Sequence, residues 1–326
     1  VHSEKINRKS LHLIEGLVAS APYLPFAYIP GVTQKQAAAL ALDTIANGFG
    51  NEDTDVLLAS ESGGPAGMVV VEYLPWDSDV YGIPMGRVSS LIALPGAHER
   101  AAKDALVDAA AEVARKRKLA HLSCRVHARD LVSVHSVSAH GFRLMTTHAV
   151  YVWDLGQSLR EAPKMPAVIS DATEDDLDEL RDVAARSYAP FTRFKVDETL
   201  PGDKTDALYA RWVESACRGY GDLVQVARLD GTLVGYAAWK IHRETCDYLG
   251  VTVGDLLLTA IVPVARRKHI FTALVREGLV RLKERGVQFC EVHTHVLNTG
   301  AQRTYSGLDA RILAARYAFH LNPLIA

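Results

Sequence analysis

Cysteine is scarce and scattered in this 326-residue chain. It has four, Cys124, Cys217, Cys246 and Cys290, and no Cys-x-x-Cys pair. That pattern argues against a disulfide framework and against a cysteine zinc site, so no metal is expected. Excess charge is missing too, since the formal net charge is −2. Polyanion binders usually carry a basic surplus, so no nucleic-acid partner is expected. No run approaches the roughly 18 apolar residues of a membrane helix. The longest candidate, Leu256 to Ala265, is short and contains Pro263. Residues 1–6 lack the apolar core of a signal peptide. These absences lead to the expectation of a reduced, cytoplasmic protein that does not bind membranes.

What is present is an ordinary globular composition, 48% hydrophobic and 23% charged. The length exceeds what one hydrophobic core usually serves, so two domains are expected. Residues 1–50 look helical, with periodic segments near Glu4–Ser20 and Gln34–Ala46. Strand-like runs follow at Asp55–Ala59, Met68–Tyr73 and Gly86–Ile92, the first two separated by the turn signal Glu61-Ser-Gly-Gly-Pro65. An Ala-rich helix near Ala97–Lys118 comes next, then a strand (Leu119–Val126), a short helix (Asp130–Ala139) and a strand ending near Trp153. Residues 157–166 hold two prolines and several polar residues and read as a linker.

Beyond the linker the same order of elements returns. A short strand (Ala167–Ser170) precedes a helix opened by Thr173 and its carboxylates, and a second helix covers about Thr205–Arg218. Strands follow at Leu223–Leu229, Thr232–Ile241 and Gly254–Val262, with Asp230-Gly231 as a hairpin signal. A long helix (Lys268–Arg285), a strand (Val287–Val296), a helix (Asn298–Gly307) and a final strand (Ala310–Phe319) close the pattern. The expected division is 1–156, a linker at 157–166, and 167–326.

Two segments of the second half carry chemistry. After the strand ending in Ala260-Ile261-Val262-Pro263 comes a basic loop, Arg266-Arg267-Lys268-His269, and then a helix beginning Ile270-Phe271-Thr272. Backbone N–H groups at a helix start, reinforced by these cations, suit a pyrophosphate. About thirty residues later, Asn298, Ala301 and Tyr305 fall at i, i+3 and i+7, one helix face. Asn298 also stands where an N-cap would stand, and Tyr305 taken alone reads as a core aromatic. Just before them, Glu291, His293 and His295 alternate along a strand and share a face.

These segments resemble the GNAT superfamily of acetyltransferases. Its cofactor motif, V-x-P-x-x-R-x-x-G-x-G, is matched at Pro263 and Arg266 but has His269 and Phe271 at the glycines. Its N-x-x-A-x-x-x-Y motif is matched at Asn298, Ala301 and Tyr305. A closer resemblance is to the TDP-fucosamine acetyltransferase group, through Thr192-Arg193-Phe194, the helix Leu208–Gly219, and Leu74-Pro75-Trp76 leading to Tyr81-Gly82.

The resemblance implies an α+β fold of two tandem GNAT-like domains, each a mostly antiparallel twisted sheet flanked by helices. It implies acetyl-CoA, or another acyl-CoA, as donor and a small-molecule amine as acceptor, with an amino-sugar nucleotide favoured. Residues 260–262, 266–272 and Asn298 would bind the cofactor, and Tyr305 would be the general acid. The base falls to His293 or His295. Arg193, Trp76, Asp77 and Tyr81 are candidate acceptor contacts. The first domain, at Arg125–Asp130, lacks the motif Asn and Tyr and is expected not to bind CoA productively. A secondary-metabolite amine as acceptor, or a non-catalytic ligand-binding role, are the alternatives. A monomer or homodimer is expected.

Overall fold

A computed structural model describes residues 2–61, 64–187 and 192–324, so Ser62 and Gly63 of the expected turn lie outside the described residues. The chain forms two compact units. One runs to Thr147 and resumes at Ala315; the other is His148–Ala314.

The first unit begins with β1 (His2–Lys5), α1 (Leu11–Ser20), α2 (Gln34–Gly48), β2 (Thr54–Glu61) and β3 (Gly64–Tyr73). It continues through α3 (Pro75–Tyr81), β4 (Met85–Ala93), α4 (Glu99–Lys116), β5 (His121–His127), α5 (Leu131–Ala139) and the start of β6 (Arg143–Asp154). Strands β1 to β4 pair antiparallel in chain order, and β4 pairs parallel with β5. The expected helix from Glu4 is a strand at its start, because His2–Lys5 completes the ladder on the edge of β2. Asn7 then accepts the Lys9 N–H and opens the turn that leads into α1. The α4 residues Leu106 and Ala110 pack on Val69 and Leu122, whereas α1 and α2 pack on Val56, Met68 and Val70 of the opposite sheet face.

The second unit takes the rest of β6, then β7 (Val168–Asp171), α6 (Leu177–Ser187), α7 (Gly202–Ser215), β8 (Leu223–Leu229), β9 (Thr232–His242) and α8 (Glu244–Leu249). It ends with β10 (Val253–Ile261), α9 (Ile270–Glu284), β11 (Phe289–His295), α10 (Thr299–Gly307) and the start of β12 (Arg311–Leu321). Its strand order is β6-β11-β10-β9-β8-β7, antiparallel except for β10 and β11. Asp230 (φ 50°) and Gly231 (φ 80°) make the expected tight hairpin between β8 and β9. One sheet face carries α9, through Ile270, Leu274, Val275 and Leu279. The other carries α6 and α7 against Val226, Tyr236 and Leu258. Gly278 permits the close seating of α9, since a Cβ there would lie 2.2 Å from the Trp239 ring.

From Ala315, β12 belongs to the first unit, where Arg316–Leu321 pairs antiparallel with His127–Leu122. The sequence expectation put a boundary at residues 157–166. That segment carries no helix or strand and lies within the second unit, which begins nine residues before it at His148.

Candidate active site

The site of the second unit starts from a break in its sheet. Strands β10 and β11 pair only at Val253–Asp255 and Phe289–Glu291. Beyond that, β10 continues to Ile261 along β9, and β11 continues to His295 along β6. The two strands part, and backbone groups of both line the gap. Of residues 260–262, expected to bind the cofactor, Val262 has its amide engaged: its N–H donates to the Val234 carbonyl at 2.9 Å. Amides alternate in direction along a strand, so Ala260 also points at β9 and Ile261 points into the gap.

A 3₁₀ turn at Pro263–Ala265 leads from the gap to α9. Arg267 and His269 both hold left-handed backbone, at φ 64° and 61°. His269 thus keeps the conformation that glycine favours while adding a side chain. The first intrahelical bond of α9 runs from the Ala273 N–H to the His269 carbonyl. The amides of Ile270, Phe271 and Thr272 therefore have no partner within the helix. Arg266, Arg267, Lys268 and His269 are all exposed around them. A positive helix end beside four basic side chains fits the pyrophosphate of an acyl-CoA.

Tyr305 lies on the α9 face of the sheet and is 2% exposed. Its ring packs against Trp153 (5.3 Å, edge-on), Tyr151 (5.6 Å) and Phe271 (5.9 Å). Burial pushes its hydroxyl pKa up, keeping it a proton donor. Thr304 Oγ1, one residue before it, lies 3.4 Å from Thr272 Oγ1 in the first turn of α9. Asn298 is an N-cap: its Oδ1 accepts the Ala301 N–H at 3.4 Å, and its amide donates to Thr294 Oγ1 at 3.3 Å.

Glu291, His293 and His295 alternate as expected, on the sheet face opposite Tyr305; Cys290 and Val292, at alternate positions, join the α9 core. His295 Nδ1 accepts the Leu297 N–H at 2.9 Å. Its neutral ring then carries the proton on Nε2, which makes it a donor. Burial lowers its pKa and favours that neutral form. His293 differs: its Nε2 lies 3.1 Å from Glu291 Oε1. This bond was not foreseen; strand alternation put both residues on one face without indicating that they touch.

The candidate Trp76 is exposed and Asp77 half-buried on α3 of the first unit, and Tyr81 on the same helix is buried at 3%. Arg193 belongs to the second unit and stacks its guanidinium on the neighbouring Phe194 ring at 4.1 Å. A cavity of about 630 Å³ opens in the second unit at the β7–β8 edge, two strands from the gap.

The first unit repeats the frame with other residues. Strands β4 and β5 pair only at Met85–Val88 and His121–Cys124, then part. Asp130 caps α5 as Asn298 caps α10, accepting the Ser133 N–H at 3.0 Å. His127 Nδ1 accepts the Arg129 N–H, as His295 accepts that of Leu297. At the helix start the chemistry changes: Glu99 occupies the first turn of α4 and binds Lys103 at 2.8 Å, which also binds Asp130. Val137, seven residues after Asp130 as Tyr305 is after Asn298, is buried in the core of the first unit.

Residues 179–309 match the Acetyltransferase (GNAT) family. A mycothiol acetyltransferase of Sanguibacter keddieii is 36% identical over 81 residues, which are 25% of this chain and 25% of that protein. The match thus spans about a quarter of the relative's length. A GCN5-related N-acetyltransferase from Sphaerobacter thermophilus superposes with TM-score 0.66 at 14% identity, covering 99% of this chain and 95% of that one. A tandem GNAT protein from the clavulanic acid biosynthesis pathway superposes with TM-score 0.59 at 17% identity, covering 99% and 98%. At such identities the likeness concerns the fold alone, and it covers both units. Among the described residues no helix is long and apolar enough to cross a membrane.

Proposed function

We propose that the protein is an acyl-CoA-dependent N-acyltransferase of a small-molecule amine, with acetyl-CoA as donor and an amino-sugar nucleotide as favoured acceptor class. One observation carries this reading. Where β10 and β11 part, His293 lines one sheet face and Tyr305 occupies the other. Proton removal and proton delivery are thereby divided between the two sides of a single gap.

Acyl-CoA supplies a thioester carbonyl and a thiolate leaving group. The exposed cations 266–268 and the amides of Ile270–Thr272 bind its pyrophosphate. The Ile261 N–H donates to the acyl oxygen. His293 takes the proton of the attacking amine nitrogen as the new N–C bond forms. The C–S bond breaks, and Tyr305 gives its hydroxyl proton to the sulfur. His295, whose Nδ1 is engaged, serves in orientation and not as the base. We assign the chemistry to the second unit; in the first, the Glu99–Lys103 pair stands where an anion would bind.

The test is thiol release from acetyl-CoA with a panel of amines that includes 4-amino sugar nucleotides and secondary-metabolite amines. Turnover with one acceptor class supports the reading. A second reading, a non-catalytic acyl-CoA sensor, draws on the side chains at His269 and Phe271 where the family motif has glycine. Calorimetric acetyl-CoA binding with no thiol release from any amine would favour it.

A further inference from the structure

Glu291 stands on the last shared rung of β10 and β11, beside Asp255. His293 is two residues on, in the parted segment. Across β6 the facing residues are Val152 and Val150, which offer no side-chain hydrogen bond to either. The Glu291 carboxylate is 5% exposed, and a buried carboxylate needs donors close by. His293 Nε2, at 3.1 Å, is one of them.

We propose that Glu291 is a positioning residue for His293, holding the imidazole as the Nε2–H tautomer so that the Nδ1 lone pair accepts the amine proton. The proposal rests on the reading of His293 as the base. A carboxylate accepts and never donates when ionised, so the nitrogen facing it must carry the proton. In a neutral ring the lone pair then resides on Nδ1. When His293 becomes imidazolium after proton abstraction, the same carboxylate faces the new charge and stabilises it.

The first unit supplies an internal contrast. Strands β5 and β11 each have seven residues, and each ends in a histidine whose Nδ1 accepts the N–H two residues on. At the third and fifth positions β11 has Glu291 and His293, whereas β5 has Ser123 and Arg125. The frame is common to both strands, and the Glu–His pair occurs in the one followed by the asparagine–tyrosine motif.

The experiment joins nitrogen-15 NMR of the histidine side chains in the full-length chain with kinetics on whichever amine of the panel turns over. Wild-type His293 is expected as the Nε2–H tautomer. Glu291→Gln, whose amide can present N–H to the ring, should shift it toward Nδ1–H. It should lower kcat by about 10- to 100-fold while leaving acetyl-CoA binding within twofold. Glu291→Asp should recover part of the rate. A full-rate Glu291→Gln variant beside a disabled His293→Ala variant overturns the proposal and leaves the base assignment standing. A full-rate His293→Ala variant overturns the base assignment and the proposal with it. If Glu291→Gln does not fold, the wild-type tautomer decides, because Nδ1–H at His293 is incompatible with the proposal.

Discussion

The ring of Tyr305 meets the indole of Trp153 edge-on, with centroids 5.3 Å apart. This contact belongs to the ring and not to the hydroxyl, so the two can be tested separately. Tyr305→Phe keeps the packing with Trp153, Tyr151 and Phe271. We expect kcat to fall by about 100-fold or more while acetyl-CoA affinity changes less than twofold. Stopped-rate thiol assays and calorimetry on the same preparation measure both. Unchanged turnover would remove Tyr305 from the chemistry.

His269→Gly restores glycine at a left-handed position (φ 61°). A non-glycine residue there costs roughly 1–2 kcal/mol. Some of that is offset by the larger unfolded-state entropy of glycine. The expected result is stability equal to wild type or up to about 1 kcal/mol higher, with a lower KM for acetyl-CoA because the backbone can approach the pyrophosphate more closely. Denaturant titration and KM determination check the two halves separately; a raised KM would show that the imidazole itself helps to bind.

Gly278→Ala inserts a methyl group where the Trp239 ring lies 2.2 Å from the new Cβ. Either α9 or the indole must shift, at a cost of about 1–3 kcal/mol. Urea unfolding should show the loss, and a stability within 0.5 kcal/mol of wild type, roughly the scale of an ordinary surface change, would contradict the close approach.

Asp176 links pH to stability. Burial alone would raise its pKa, but the Thr173 amide and hydroxyl and the Arg228 guanidinium outweigh it and hold the carboxyl below its usual range. A group depressed in the folded state stabilises above its unfolded pKa, near 4, and loses that contribution as pH falls through the folded value. Asp176→Asn should therefore cost about 1–3 kcal/mol at pH 7. Its deficit should shrink steadily as the medium is acidified below about pH 4. Parallel urea curves for the two proteins from pH 7 to pH 3 give the comparison, and a constant difference would rule out the linkage.

Most of the architecture was legible in the sequence because its elements have strong local signals. Asp230-Gly231 marked the hairpin, and the Ile270, Leu274, Val275 and Leu279 stripe marked the buried face of α9. His2–Lys5 was misread because a strand at a sheet edge is defined by its partner, which local periodicity does not contain. The site was legible as residue types and faces. Its hydrogen-bond geometry was not: the Val262 amide is engaged by the Val234 carbonyl, and the His295 Nδ1 by the Leu297 N–H. Each of these bonds involves the backbone, to which any side chain would be silent. The compact units likewise depend on which strands pair, and β12 changes unit partway along its length.

That last feature bears on how the molecule is made. The first unit is discontinuous: one edge of its β5 pairs with β4, and the other is covered by Arg316–Leu321, which leave the ribosome after the whole of the second unit. Until then that second edge of β5 is open to pairing with other nascent chains. The second unit, by contrast, is one continuous stretch and can complete its sheet first. Biogenesis would therefore run against the order of synthesis, with the second unit closing before the one that precedes it.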